Sequence, residues 1–327
     1  MLLAMRASVT PNNPKAELIR ITTSSHGVFS RDEPRDLVGQ PVLFIASQRR
    51  TRSNETSHAW YLAWATLGHM GLKKLRRAAQ MPLLYENFPT AYRHRFLRQR
   101  DREGVVDYRL RNGITISMSP GPQDIRVLNE IWGDRAYAAP GFMPEPGWRI
   151  LDVGAHKGNF ALYAMSEAEA TVTCYEPHPR TFKLLSLNLD RFGSGEAVNA
   201  GIGSRDGQAT LHEIAGNTGQ SSLDYDRADV RGTISRTFTV DVLALSEAIE
   251  RAGGEIDLCK IDVEGAEYDI LLDSPVEVVK RLRRIVMELD PFSPTDASVT
   301  RDDLIAHLQR AGYTVTSRGH NIVFARQ

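Results

Sequence analysis

Asp152-Val-Gly-Ala-His-Lys-Gly158 stands between an apolar run, Trp148–Leu151, and a helix-forming one, Asn159–Met165, and Glu176 closes the next apolar run. The pattern predicts a strand, a glycine turn and a helix, with Gly154 and Gly158 letting the backbone approach a ligand. A dinucleotide fold would seat a pyrophosphate over the helix N-terminus here, in a neutral G-x-G-x-x-G loop. Asp152 argues against that, because a carboxylate at the strand end repels phosphate and suits the positively charged end of an amino acid. Glu176, followed by Pro177, can accept both hydroxyls of a ribose. The ligand that satisfies both carboxylates is S-adenosylmethionine.

Working outward, strands and helices alternate. Strands are expected near Arg149–Val153, Thr171–Tyr175, Glu196–Ala200, Asp257–Ile261 and Arg284–Glu288. Helices are expected near Asn159–Glu167, Arg180–Asp190, Leu243–Ala252, Tyr268–Leu272 and Arg301–Ala311. That alternation predicts an α/β fold with a mostly parallel, doubly wound sheet. Gln208–Ile214 reads as an extra strand pairing with the Asn199 region. Asp107–Met118 reads as a hairpin turning at Asn112-Gly113, and Asp124–Tyr137 as a helix. Pro41–Ala46 is a short apolar run. His58–Gln80 and Tyr85–Arg102 carry helical spacing with basic residues, and no repeat or low-complexity tract is seen.

Four ordered pieces, Leu151–Gly158, Tyr175-Glu-Pro-His-Pro179, Val198-Asn-Ala200 and Lys260-Ile-Asp-Val-Glu-Gly-Ala-Glu267, followed by Ile285-Val-Met-Glu288, resemble the FkbM-type family of S-adenosylmethionine-dependent methyltransferases. The resemblance runs from about Asp124 to the C-terminus. His156-Lys157 departs from it mildly, standing where the family usually has a small polar and an aliphatic residue. It implies a Rossmann-like class I methyltransferase fold over 111–327, with Tyr313–Ser317 and Asn321–Ala325 as an antiparallel hairpin at the sheet edge. Residues 1–110 would form an N-terminal, mainly helical extension for acceptor recognition or oligomerisation.

Ligands of open α/β sheets bind beyond the carboxyl ends of the strands where strand order reverses. Asp152, Gly154, Ala155, His156, Lys157, Gly158 and Asn159 on the first turn, Glu176, Pro177 and His178 after the second strand, Asn199 and Ala200 after the third, and Asp262 after the fourth are therefore the expected cofactor-binding residues. His178, between two prolines, reads as an exposed loop residue edging the ribose, and His156 as lining the methionine side. Asp262 is the first candidate for the base that deprotonates an acceptor or for the group that orients it, and Glu264 the second. Against this stands a purely structural reading, with Asp262 as a helix N-cap and Glu267 complementing the helix start. A divalent ion between Asp262, Glu264 and Glu288 is chemically feasible but not favoured, since spacing alone does not define an octahedral site.

Composition narrows the class. The chain has 327 residues, 42% hydrophobic and 24% charged, with 40 basic and 40 acidic residues, so no global field calls for nucleic acid or an anionic membrane. The longest apolar stretch, Trp60–Leu72, is too short and too interrupted to span a bilayer. Met1–Arg20 lacks a secretory leader pattern, and Cys174 and Cys259 lie in apolar runs as free thiols, so a cytoplasmic location is expected. Basic residues outnumber acidic ones between Gly71 and Arg111. That excess reads either as a solvated face or as contact with an anionic or carrier-bound acceptor. A homo-oligomer is compatible with all of this. The leading expectation is O-methylation of a hydroxyl or carboxyl of a small molecule, sugar or natural-product intermediate. The alternatives are a nicotinamide-dependent oxidoreductase, disfavoured by Asp152 and by Ala155 in place of a glycine, and a non-catalytic cofactor-binding protein.

Overall fold

The computed structural model describes residues 7–9, 17–21, 43–47, 72–96, 104–214, 217–222, 234–289, 299–319 and 321–327. The chain divides into two compact units, Met1–Ala79 and Gln80–Gln327. In the first, β1 (Ala7–Val9), β2 (Glu17–Ile21) and β3 (Leu43–Ser47) form an antiparallel sheet in that order. The apolar run at Pro41–Ala46 falls largely on β3, so the expectation of a mainly helical extension omitted this sheet. Of the expected helix His58–Gln80, the part before Leu72 lies outside the described residues; the rest belongs to helix Leu72–Leu84. The expected helix Tyr85–Arg102 is observed as Phe88–Phe96, preceded by a bridge at Tyr85 and a turn at 86–87, and residues 97–102 lie outside the described residues.

The second unit is built on a seven-stranded sheet. Its strands are β6 (Arg149–Val153), β7 (Thr171–Tyr175), β8 (Glu196–Val198), β13 (Leu258–Ile261), β14 (Arg284–Glu288), β15 (Thr314–Arg318) and β16 (Ile322–Arg326), in the order β15-β16-β14-β13-β6-β7-β8. The five from β14 to β8 pair in parallel, and β16 and β15 pair antiparallel at one edge. This is the doubly wound sheet with an antiparallel C-terminal hairpin that the sequence predicts. Helix Asn159–Glu167 is buried along most of its length because its sequence is apolar all round. Helix Pro179–Phe192 starts with Pro179 at its first turn and stops at left-handed Gly193, whose N–H bonds Leu189 O. Between β6 and β13 the winding reverses, so the carboxyl ends of these two strands open the crevice where such sheets bind ligands.

Two expectations need correcting. The strand β10 (Gly207–Ile214) does not pair with the Asn199 region: it lies antiparallel to β12 (Ile234–Ala244) and β11 (Asn217–Ser222), in a separate sheet where β12 also pairs with β9 (Gly201–Gly203). The expected helix Asp124–Tyr137 is α-helical only over Pro122–Leu128 and widens into a π turn at Asn129–Gly133. Arg135, with φ of 49°, then turns the chain away, so Tyr137 leaves the helix.

The hairpin of β4 (Val106–Arg109) and β5 (Thr115–Met118) turns through Gly113 as expected. It is anchored by Asn188, a buried side chain that accepts from Ser117 N and donates to Ser117 O and Lys157 O. Among the described residues no helix is long and apolar enough to cross a membrane.

Candidate active site

The glycine turn is shaped by the neighbouring strand. Gly154 has φ of 75°, and a Cβ there would lie 1.9 Å from the carbonyl oxygen of Asp262, so the close approach that excludes a side chain is made by backbone of this chain. Gly154 N and Ala155 N both donate to Tyr175 O, and Asp262 N donates to Val153 O. His156 is also left-handed, with φ of 52°. Gly158, at φ of 83°, begins helix Asn159–Glu167.

Those bends fix Glu176. Its carboxylate accepts from His156 N at 2.9 Å with one oxygen and from His178 N at 2.8 Å with the other. Burial pushes the Glu176 carboxyl up to about 7 despite these two donors. Each oxygen keeps a lone pair for another donor. Asn199 braces the same loop, donating to the carbonyls of Glu176 and Pro177, while Ala200 is buried in the core.

His178 is not the exposed loop residue expected from its flanking prolines. It is buried and caps helix Pro179–Phe192, its Nδ1 accepting from Arg180 N and Thr181 N. Because Nδ1 accepts, the neutral ring carries its proton on Nε2, which donates to Glu213 Oε2 at 2.9 Å. Burial would raise the Glu213 carboxyl, but hydrogen bonds from His178 and Ser235 and the charge of Arg180 hold it below its ordinary value. His156 is held neutral: burial first, then the charges of Lys157 and Lys260, depress it well below the usual range. Its Nε2 is buried without a hydrogen-bond partner among the described residues.

The side chains of Lys157 and Asn159 find partners within the protein at their nitrogen ends, and Asn159 Oδ1 is buried without one among the described residues. The Lys157 amine is buried in an ion pair with Asp124 at 2.7 Å, and Asn159 Nδ2 faces Met118 Sδ.

Across the crevice the central feature is Lys260, which sequence reading placed in a motif without a role. Its amine donates to Gly154 O at 2.7 Å and pairs with Asp152 at 3.2 Å and Asp262 at 3.7 Å. Burial acts to lower the amine, but Asp152 and Asp262 outweigh it and keep Lys260 charged. Burial raises the Asp152 carboxyl, with Lys260 opposing.

Asp262 is only part-buried, and it does not cap the following helix. Helix Glu267–Leu272 has Ala266 at its N-cap without a side-chain bond, and Glu267 reaches back to accept from Val263 N. Glu264 sits in the left-handed region, with φ of 59°, on the bend before that helix. Asp262 Oδ2 instead accepts from Tyr137 Oη at 2.9 Å, and the same hydroxyl lies 3.2 Å from Glu288 Oε2. Asn321 donates to the other Glu288 oxygen at 2.6 Å. Among the described residues no three His, Cys, Asp or Glu side chains converge as metal ligands. Tyr137, Asn321 and Glu213 carried no signal in the sequence, since each meets its partner across a long stretch of chain.

The arrangement offers a buried carboxylate held by two amides on one side of the β6 turn, an acid–amine–acid group on the other, and an orphaned imidazole nitrogen beside them. Those donors and acceptors fit a ligand that carries ribose hydroxyls at one end and a charged amino acid at the other.

The AMB antimetabolite synthetase AmbE of Pseudomonas aeruginosa is 30% identical over 230 residues, which cover 59% of this chain and 11% of that protein. The 31-O-demethyl-FK506 methyltransferase FkbM of Streptomyces tacrolimicus is 27% identical over 241 residues, covering 65% of this chain and 90% of the relative. Methyltransferase sdnD of Sordaria araneosa is 26% identical over 219 residues, covering 58% and 82%. The sequence model of the Methyltransferase FkbM domain matches residues 152–315, from the carboxylate of β6 to the first strand of the edge hairpin. With that match spanning half of the sequence, the chain belongs to the FkbM family of methyltransferases.

Proposed function

We propose that the protein methylates a hydroxyl oxygen of a small-molecule acceptor using S-adenosylmethionine, with Asp262 as the proton acceptor. The observation that carries this reading is the pair of carboxylates, Asp262 and Glu288, bridged by one tyrosine hydroxyl at the carboxyl ends of β13 and β14. A hydroxyl nucleophile must lose a proton, which a positioned carboxylate can take. A carboxylate acceptor needs no base and would be repelled by two acids at the reacting centre. The name of the Streptomyces relative, a demethylated-oxygen methyltransferase, supports oxygen as the target atom.

S-adenosylmethionine supplies, when bound, a methyl group on a positively charged sulfur. Glu176 holds the ribose hydroxyls, its own orientation set by the amides of His156 and His178. Asp152 and Lys260 present opposite charges to the amino acid end. Neutral His156 lines the crevice without adding a cation beside a cationic ligand. Asp262 orients the acceptor hydroxyl and removes its proton.

Calorimetric titration with S-adenosylmethionine and NADH in parallel tests the ligand. Methyl transfer from labelled S-adenosylmethionine to matched pairs of alcohols and carboxylic acids tests the acceptor. Binding of S-adenosylmethionine alone and labelling of alcohols alone are expected; labelling confined to the acids would refute the reading. Asp262→Asn should keep cofactor affinity within a few-fold and lower turnover by about two to four orders of magnitude.

A further inference from the structure

A single hydroxyl proton cannot satisfy two ionised carboxylates. Tyr137 Oη lies within hydrogen-bond distance of both Asp262 Oδ2 and Glu288 Oε2, so when it donates to one, the other can bond to it only by carrying a proton of its own. The three groups therefore accommodate one proton more than their separate ordinary states would. We infer that Tyr137 and Glu288 are relay residues acting through Asp262, forming a hydroxyl-bridged chain whose far member, Glu288, is the final holder of the proton taken from the acceptor. This rests on the reading of the site as a hydroxyl methyltransferase.

The surroundings favour Glu288 for that part. Asn321 fixes its other oxygen at 2.6 Å. Burial, then the charges of Asp262 and Glu130, lift its carboxyl to about 7, with the Tyr137 hydrogen bond and Lys260 opposing. Asp262 is the member paired with the Lys260 amine, at 3.7 Å. The Lys260 amine also stands over the Tyr137 ring at 5.8 Å.

In the step proposed, the acceptor O–H bond breaks and its proton joins Asp262. With Glu288 ionised at the start and accepting from Tyr137, Asp262 passes its new proton to Tyr137 Oη as the tyrosine passes its own to Glu288. An O–CH3 bond forms while the S–CH3 bond of the donor breaks, the electron pair staying on sulfur. One proton and one methyl group change places, and the tyrosine ends as it began.

Glu288→Gln and Tyr137→Phe test this without an acceptor. Infrared titration of the full chain, free and loaded with S-adenosylmethionine, should show in the wild-type-minus-Glu288→Gln difference a protonated carboxyl band that persists to about neutral pH. In Tyr137→Phe, which removes one oxygen from a loop residue, that band should move. A difference spectrum in which Glu288 is already ionised by about pH 5 would overturn the relay, as would an unmoved band in Tyr137→Phe.

Once an alcohol acceptor is in hand, both variants should lower turnover by about 10- to 100-fold, shift the acidic limb of the pH–rate profile and leave the cofactor dissociation constant unchanged. Turnover and profile equal to wild type would overturn the relay. Failure of the wild type to bind S-adenosylmethionine, or labelling of carboxylic acids alone, would instead overturn the underlying reading. The infrared band decides the shared proton separately.

Discussion

Gly154 would ordinarily be assigned to the ligand, since a glycine turn after the first strand is where a cofactor backbone contact belongs. The distances assign it first to Asp262. With a Cβ at 1.9 Å from that carbonyl oxygen and φ of 75°, Gly154→Ala should separate the ends of β6 and β13 and cost on the order of 3 kcal/mol or more in urea denaturation, with no cofactor present. Gly158→Ala, also left-handed but facing the movable Leu185 side chain, should cost about 1–2 kcal/mol. Equal, small losses at the two positions would contradict this.

Glu176 allows a pH test. Its folded carboxyl lies near 7 because of burial, and ribose hydroxyls donate better to the ionised form. Binding therefore releases a proton below that value, so affinity for S-adenosylmethionine should rise as pH increases from about 6 to 8. Glu176→Gln should bind more weakly, and its affinity should lose that pH dependence. Asp152, Glu176 and Asp262 were legible because each follows an apolar run in the sequence. Lys260 and Glu213 were not: their meaning depends on partners on other strands, Gly154 and His178, which no local pattern encodes.

At the level of elements, the crevice depends on pieces that lie outside the sheet. Asn188 makes three bonds from helix Pro179–Phe192 to the β4–β5 hairpin and to the carbonyl of Lys157 in the glycine turn. Asn188→Leu keeps the volume and leaves Ser117 N, Ser117 O and Lys157 O without that partner, so it should destabilise the protein by about 3 kcal/mol in urea unfolding. An effect under about 1 kcal/mol would mean that water replaces the amide.

The elements of the parallel sheet were readable because buried parallel strands are continuous apolar runs, and Arg149–Val153, Thr171–Tyr175 and Arg284–Glu288 match their expected limits. The helix before Tyr137 was not. Its apolar spacing continues, but the π turn and left-handed Arg135 redirect the chain, and that redirection delivers the Tyr137 hydroxyl to Asp262. The pairing of β10 was missed because an alternating strand reveals which face it buries and not which neighbour it takes.

For the whole molecule, the sequence suggested a boundary near residue 110. Yet Tyr85 is fully buried, Glu86 N donates to Arg109 O, Arg111 N donates to Leu84 O, and His94 Nδ1 lies 2.6 Å from Tyr108 Oη. A chain beginning at 106 should therefore aggregate or melt early, whereas one beginning at 72 should fold and bind S-adenosylmethionine with near-native affinity. Circular dichroism and calorimetry on the two truncations check this, and a stable, binding-competent 106–327 fragment would contradict it. Cys174 on β7 and Cys259 on β13 lie on the two strands that flank β6, both free and buried, with burial lifting each thiol above its ordinary range. A thiol reagent can then reach them only when the centre of the sheet opens, so alkylation keeps time for that opening. A ligand that binds only the closed sheet at 100 times its dissociation constant should slow the clock about 100-fold. The protein thus carries its own assay for whatever occupies the crevice, one that needs no acceptor.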